Sequence, residues 1–231
     1  SLAGRDIIWD QHYKHNLLVR KSLEAVYQHF SGDREDEAFT RLVNYLKKIW
    51  FANGIHHHYS KEKMIPAFSA KDLEHFIRGT SEKYFKGIFQ SHQDAINTLT
   101  PILFDVTVAP KSVEQDSGRD MVQHSANNFY EGLNQEECEK FYAKKKEKDK
   151  RIPWGLNTKL VKEDGKIREY PWKFNGMYHK AIEQIVHWLE QAMQYAENEK
   201  QHQWLKNLVE YYRTGDLQLF DDYNVLFLNY K

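Results

Sequence analysis

Phe39, Leu42, Val43, Leu46, Ile49 and Trp50 recur at intervals of three and four, and Asn53-Gly54 follows them directly. That spacing lines six apolar side chains along one face of an α-helix and is wrong for a strand, whose faces alternate every second residue. Asn-Gly then supplies residues that tolerate the positive φ at which helices stop. A helix with one apolar face must bury it against other elements, so the rest of the chain has to provide them.

It does so mostly with more helices. Trp9, Tyr13 and Leu17 recur every four residues, and with Leu18, Val26 and Phe30 they predict helix from Asp6 to Phe30, broken by Ser31-Gly32-Asp33. Ile55 to Phe68 has no period and reads as an ordered loop ending near Pro66. Ser69 with Asp72 has the pattern of a capping box, which opens a short helix through Ile77. Ser91 to Leu99 predicts another helix, with Pro101 opening a further turn, and 106–117 a surface connection. Asn134 with Glu137 caps a helix to about Lys146. Stripes follow in Ala181–Met193 and Trp204–Tyr212, the latter stopped by Gly215, and Asp216 caps a last helix through Phe227. The one good strand signal is Leu156–Glu163, Asp164-Gly165, Lys166–Trp172, a two-residue hairpin turn between extended runs. The expected fold is mainly α (α+β): amphipathic helices packed in one lobe, with a single β-hairpin near 156–172. Its helical part spans 5–150, its hairpin and C-terminal helices 151–231, and residues 1–4 are read as a cloning remnant or disordered lead. The ending Val225-Leu226-Phe227-Leu228-Asn229-Tyr230-Lys231 is unlike the polar, fraying tail of most domains and predicts a cut within a longer protein.

Charge narrows the function classes. Lys plus Arg and Asp plus Glu number 33 each, so the chain lacks the basic excess with which nucleic-acid binders neutralise phosphates. No apolar run approaches the roughly 20 residues that span a bilayer, and no signal peptide is legible. A soluble protein is expected, in the cytoplasm rather than the periplasm, with neither nucleic acid nor membrane as partner. The single cysteine, Cys138, excludes an internal disulfide and a multi-cysteine zinc site.

Four clusters are candidates for chemistry. His56-His57-His58 would present two imidazoles to a metal only from a loop; packing or hydrogen bonding near a ligand is the alternative. His179, Glu183 and His187 share a helix face, but Lys180 stands where a metalloprotease helix needs glutamate, so they read as a polar stripe. Glu136-Glu137-Cys138 reads as an acidic first helical turn with a small packed thiol, and Lys144–Arg151 as a solvated helix end. There is no phosphate-binding glycine loop, no G-x-S-x-G and no H-E-x-x-H.

Several segments together resemble dipeptidyl peptidase III, a family of zinc-dependent exopeptidases, particularly its Bacteroides-type members. They are Arg5–Gln11, Asn16–Tyr27, Ile49–Tyr59, Pro101–Asp105, Pro110-Lys111, Gly155–Asn157, Leu160–Glu163, Gly165–Ile167 and Thr214–Leu217, with Ile49-Trp50-Phe51-Ala52-Asn53-Gly54-Ile55-His56-His57-His58-Tyr59 the most specific. The resemblance implies a two-lobed enzyme that removes dipeptides from peptide N-termini by closing on its substrate. Zinc would be held on the other lobe by H-E-x-x-x-H and a glutamate from a second motif. This chain would be roughly the first third, the substrate-side lobe or part of it, inactive alone and holding no cofactor. Its partners would be a short peptide and the catalytic lobe of the same longer chain. Glu136-Glu137-Cys138 opens like the family's E-E-C-R-A-D, but Glu139-Lys140-Phe141 depart from it. Family members of the eukaryotic type have a cleft-lining aromatic in a loop from Gly to Lys-x-x-Pro, and by that pattern it falls on Tyr59, framed by Gly54, Lys63 and Pro66. An ordinary packed loop tyrosine is the alternative. Asn53, His56, His57 and His58 are candidates by adjacency. A stand-alone helical binding or scaffold module without catalysis fits the helix stripes and the neutral charge as well.

Overall fold

The computed structural model describes residues 4–111, 114–116 and 118–229; the expectations for residues 1–3 and for 230–231 lie outside them. Ten α-helices and three short strands occur among the described residues. They are α1 Arg5–His12, α2 Asn16–His29, α3 Glu37–Ala52, α4 Ala70–Arg78, α5 His92–Phe104, α6 Met121–His124, β1 Tyr130–Glu131, α7 Gln135–Lys146, β2 Thr158–Glu163, β3 Lys166–Pro171, α8 His179–Met193, α9 Glu199–Thr214 and α10 Leu217–Leu228. No described helix is long and apolar enough to cross a membrane. The chain divides into two compact units, one of Trp9–Val113 and one of Ser1–Ile8 with Glu114–Lys231.

The core of the first unit is the apolar stripe of α3 and the faces that meet it. Phe39, Leu42, Leu46 and Ile49 are all buried, together with Val19, Leu23 and Val26 of α2, Leu73 and Phe76 of α4, and Leu99 and Leu103 of α5. Burying each such side chain contributes about 1.5–3 kcal/mol. α3 ends as its sequence predicts, with Asn53 at φ 55°. The Ser69–Asp72 capping box also forms.

Two expectations here change. The helix predicted from Asp6 to Phe30 is interrupted at 13–15, and α2 restarts at Asn16, whose N–H donates to the Tyr13 carbonyl at 3.1 Å. Asn16 is completely buried, because its side chain is drawn to the backbone around Asn53. Pro101, expected to open a separate turn, lies inside α5 instead. An interior proline costs about 3 kcal/mol through a missing N–H and a ring clash. Burial of Leu99, Ile102 and Leu103 on both sides of it offsets that cost.

In the second unit Asp164 and Gly165 take φ of 49° and 74°, the two positive values a two-residue hairpin turn requires. The hairpin is not alone. β1 pairs in parallel with β2, Tyr130 opposite Leu160, giving the order β1-β2-β3. Cys138 of α7 packs with Leu133 and Leu160. The stretch 114–150, grouped in the sequence with the helical part, therefore packs with the hairpin. Ile182, Val186 and Val209 join α8 to α9, and Ile152, Tyr211 and Leu217 form a further cluster.

Candidate functional site

The residues singled out at 53–63 form one small arm of the first unit. The N–H groups of Asn53 and Gly54 both donate to the Ile49 carbonyl. Asn16 then clamps the turn: its Nδ2 donates to the Asn53 carbonyl at 3.4 Å and its Oδ1 accepts from the Ile55 N–H at 3.3 Å. Gly54 is needed because a Cβ there would lie 2.5 Å from Asn16 Nδ2. Beyond it the chain runs out and returns. The Met64 N–H donates to the Ile55 carbonyl at 2.9 Å, the His57 N–H to the Glu62 carbonyl at 2.7 Å, and His56 faces Lys63 in an antiparallel bridge. At the tip, the Tyr59 N–H donates to His57 Nδ1 at 3.3 Å.

The three histidines diverge. His56 is buried, with Tyr13 packed edge-on against its ring at 5.8 Å, while His57 and His58 are exposed. Among the described residues no three His, Cys, Asp or Glu side chains are placed to hold a metal ion. The packed-tyrosine alternative for Tyr59 does not hold: its side chain is 89% exposed, edge-on to the His58 ring at 4.7 Å. An exposed aromatic ring flanked by imidazole and by peptide groups can stack on, and hydrogen-bond to, an extended peptide.

Burial, with the Lys63 and Lys111 ammonium groups adding to it, pulls His56 down from 6.5 to about 4, partly offset by the Ala109 backbone. His56 is therefore neutral in the folded unit at pH 7. A depressed histidine contributes stability that is complete above its unfolded value of 6.5 and is lost as pH falls toward about 4. The loss is on the order of 2 kcal/mol. His56→Leu is expected to lose less stability than the parent between pH 7 and pH 4.5 in urea titrations. Equal losses in the two proteins would rule the effect out.

Glu136-Glu137-Cys138 is used structurally. Glu137 completes the Asn134 capping box and pairs with Lys162. Burial first, and then the Asp120, Glu137 and Glu139 carboxylates, push the Cys138 thiol up to about 11. A thiol this reluctant to ionise is a poor nucleophile at neutral pH. His179 accepts from the Asn175 N–H at 3.1 Å and Glu183 and His187 are exposed, the disposition of a polar stripe. Lys145 departs from its solvated run, lying over the Trp154 ring at 5.1 Å and pairing with Glu169.

Sequence reasoning missed a cavity of about 600 Å³ in the second unit, bounded by Lys145, Trp154, Asn157, Thr158, Glu169 and the 214–218 turn. Its walls come from separated segments, so no local motif announces it. Several of its polar groups are engaged with one another: Thr158 donates to Glu169 at 3.2 Å and Asn157 Nδ2 to the Gly215 carbonyl at 2.9 Å. None of Asn53, Gly54, His56, His57, His58 and Tyr59 lines it.

Residues 155–229 match the model of Peptidase family M49, and this points to a peptidase. The matched stretch is about a third of the chain and comprises β2, β3, α8, α9 and α10, with the 53–63 arm outside it. No curated protein matches the chain.

Proposed function

We propose that this chain is the substrate-side part of a zinc-dependent dipeptidyl peptidase, of the Bacteroides type, that removes dipeptides from peptide N-termini. The observation that carries the reading is the family match over 155–229. The run Ile49–Tyr59 supports it independently, since it resembles the same family outside the matched stretch and presents an exposed aromatic at the position expected to line a cleft. The chain's part is binding: Tyr59 and His58 receive the peptide, with His57, Asn53 and Gly54 shaping the arm and His56 packed beneath it. Among the described residues no three His, Cys, Asp or Glu side chains are grouped to hold a zinc ion. Zinc and the bond-breaking step are assigned to a catalytic lobe of the same longer chain, and no step of the chemistry to the residues described.

The gene containing this chain is expected to encode H-E-x-x-x-H downstream of Lys231. Its full product is expected to release dipeptides from dipeptidyl arylamides and to lose that activity on chelation. The 231 residues alone should bind no stoichiometric zinc in elemental analysis and turn over none of these substrates. A gene without the motif, or a full product that leaves the arylamides intact, sinks the reading.

A further inference from the structure

The tip that carries Tyr59 is fastened by two lysines, and both reach far along the chain. Lys63 is buried, and its Nζ donates to the Ile102 carbonyl at 2.8 Å, to the Asp105 carbonyl at 2.6 Å and to the Val108 carbonyl. An ammonium has three N–H groups, and here each has an acceptor. Ile102 lies in the last turn of α5, where carbonyls have no helical partner and a cation is favoured by the helix dipole. The Asp105 carboxylate accepts from the Thr107 N–H at 2.8 Å and from its hydroxyl at 2.7 Å, closing the turn that presents the other two carbonyls. From the other direction Lys111 donates to the His57 and His58 carbonyls at 3.3 and 3.4 Å.

The arm's own ladder, Ile55 with Met64 and His57 with Glu62, is made of backbone groups and needs no lysine side chain. What the Lys63 ammonium adds is the attachment of that ladder to α5 and the 105–108 turn. We propose that Lys63 is a positioning residue for peptide binding: it fixes where Tyr59 stands, through the arm, without touching substrate. This rests on the substrate-side reading above. An aliphatic replacement takes the ammonium from three carbonyls, of which that of Asp105 keeps the Val108 N–H at 3.3 Å, and lets the tip move, so peptide binding weakens while the chemical step is untouched.

The test uses Lys63→Met, Lys63→Arg and Lys111→Met, each in this chain and in the full gene product. In the chain, amide exchange over 57–62 is expected to rise about tenfold in Lys63→Met. In the full product, KM for a dipeptidyl arylamide is expected to rise about fivefold with kcat within about twofold. Lys63→Arg should recover most of both, and Lys111→Met should move both less, in the same direction. If Lys63→Met does not fold, the other two variants carry the test. Faster exchange with KM unchanged makes Lys63 merely structural and overturns the inference, as does exchange that does not move. A parent full product without peptidase activity overturns the functional reading as well, which distinguishes the two failures.

Discussion

Phe76→Ala is expected to destabilise the unit of residues 9–113 by about 3–5 kcal/mol, a large share of the stability of any domain this size. Phe76 is 1% exposed and meets three phenyl rings: Phe30 edge-on at 5.3 Å, Phe39 edge-on at 5.8 Å and Phe68 at 6.0 Å. Removing it forfeits the burial of a large apolar side chain and also these aromatic contacts, each adding about 0.5–1.5 kcal/mol. The surrounding helices do not close over such a void completely, so a cavity cost is added. Phe51→Ala is the control, since that side chain is 86% exposed and its loss should stay within about 0.5 kcal/mol. Urea denaturation read by hydrogen exchange within 9–113 measures both. A loss below about 1 kcal/mol for Phe76→Ala would falsify this picture of the core.

Leu160→Ala is expected to cost the other unit about 2–5 kcal/mol. Leu160 has no exposed surface, lies in the central strand, and packs with Leu133 and Cys138. Cys138 offers a direct readout, because its thiol is buried and held at about 11. Labelling with a thiol reagent should be slow in the parent. In Leu160→Ala it should be faster by about tenfold or more, as the cluster opens more often. Unchanged labelling together with an unchanged urea midpoint would count decisively against that role for Leu160.

The parts of this fold legible in the sequence are those fixed by neighbours in the chain. The α3 stripe, the Ser69–Asp72 and Asn134–Glu137 boxes, the Asp164-Gly165 turn and the Gly215 stop each involve residues within about four positions of one another. All of them form. The features that escaped depend on distant partners. Nothing in the sequence near Asn16 announces its bonds to Asn53 and Ile55, made where α2 restarts after the break at 13–15. Pro101 looks like a helix start until tertiary burial carries α5 past it. β1 has two residues and no strand signal of its own, and exists because β2 offers it a partner. In the candidate site, the turn is legible in Asn53-Gly54, whereas Tyr59 rests on the family resemblance, its residues alone allowing a packed tyrosine equally. The lysine fastenings are not legible, because a basic residue reads as solvated until its carbonyl acceptors are in place.

The parallel pairing of β1 with β2 also sets an order of events in folding. Its two strands are separated by α7 and the connection after it, about 30 residues, so closing that loop costs about 3 kcal/mol of chain entropy. Hydrogen bonds contributing about 1 kcal/mol each cannot meet that cost from a two-residue strand. The hairpin and α7 must therefore associate first, through Cys138 and Leu160, and β1 docks onto a surface already made. Tyr130 and Glu131 should be among the last amides to gain protection on refolding, which makes that strand a natural clock for the final consolidation of its unit.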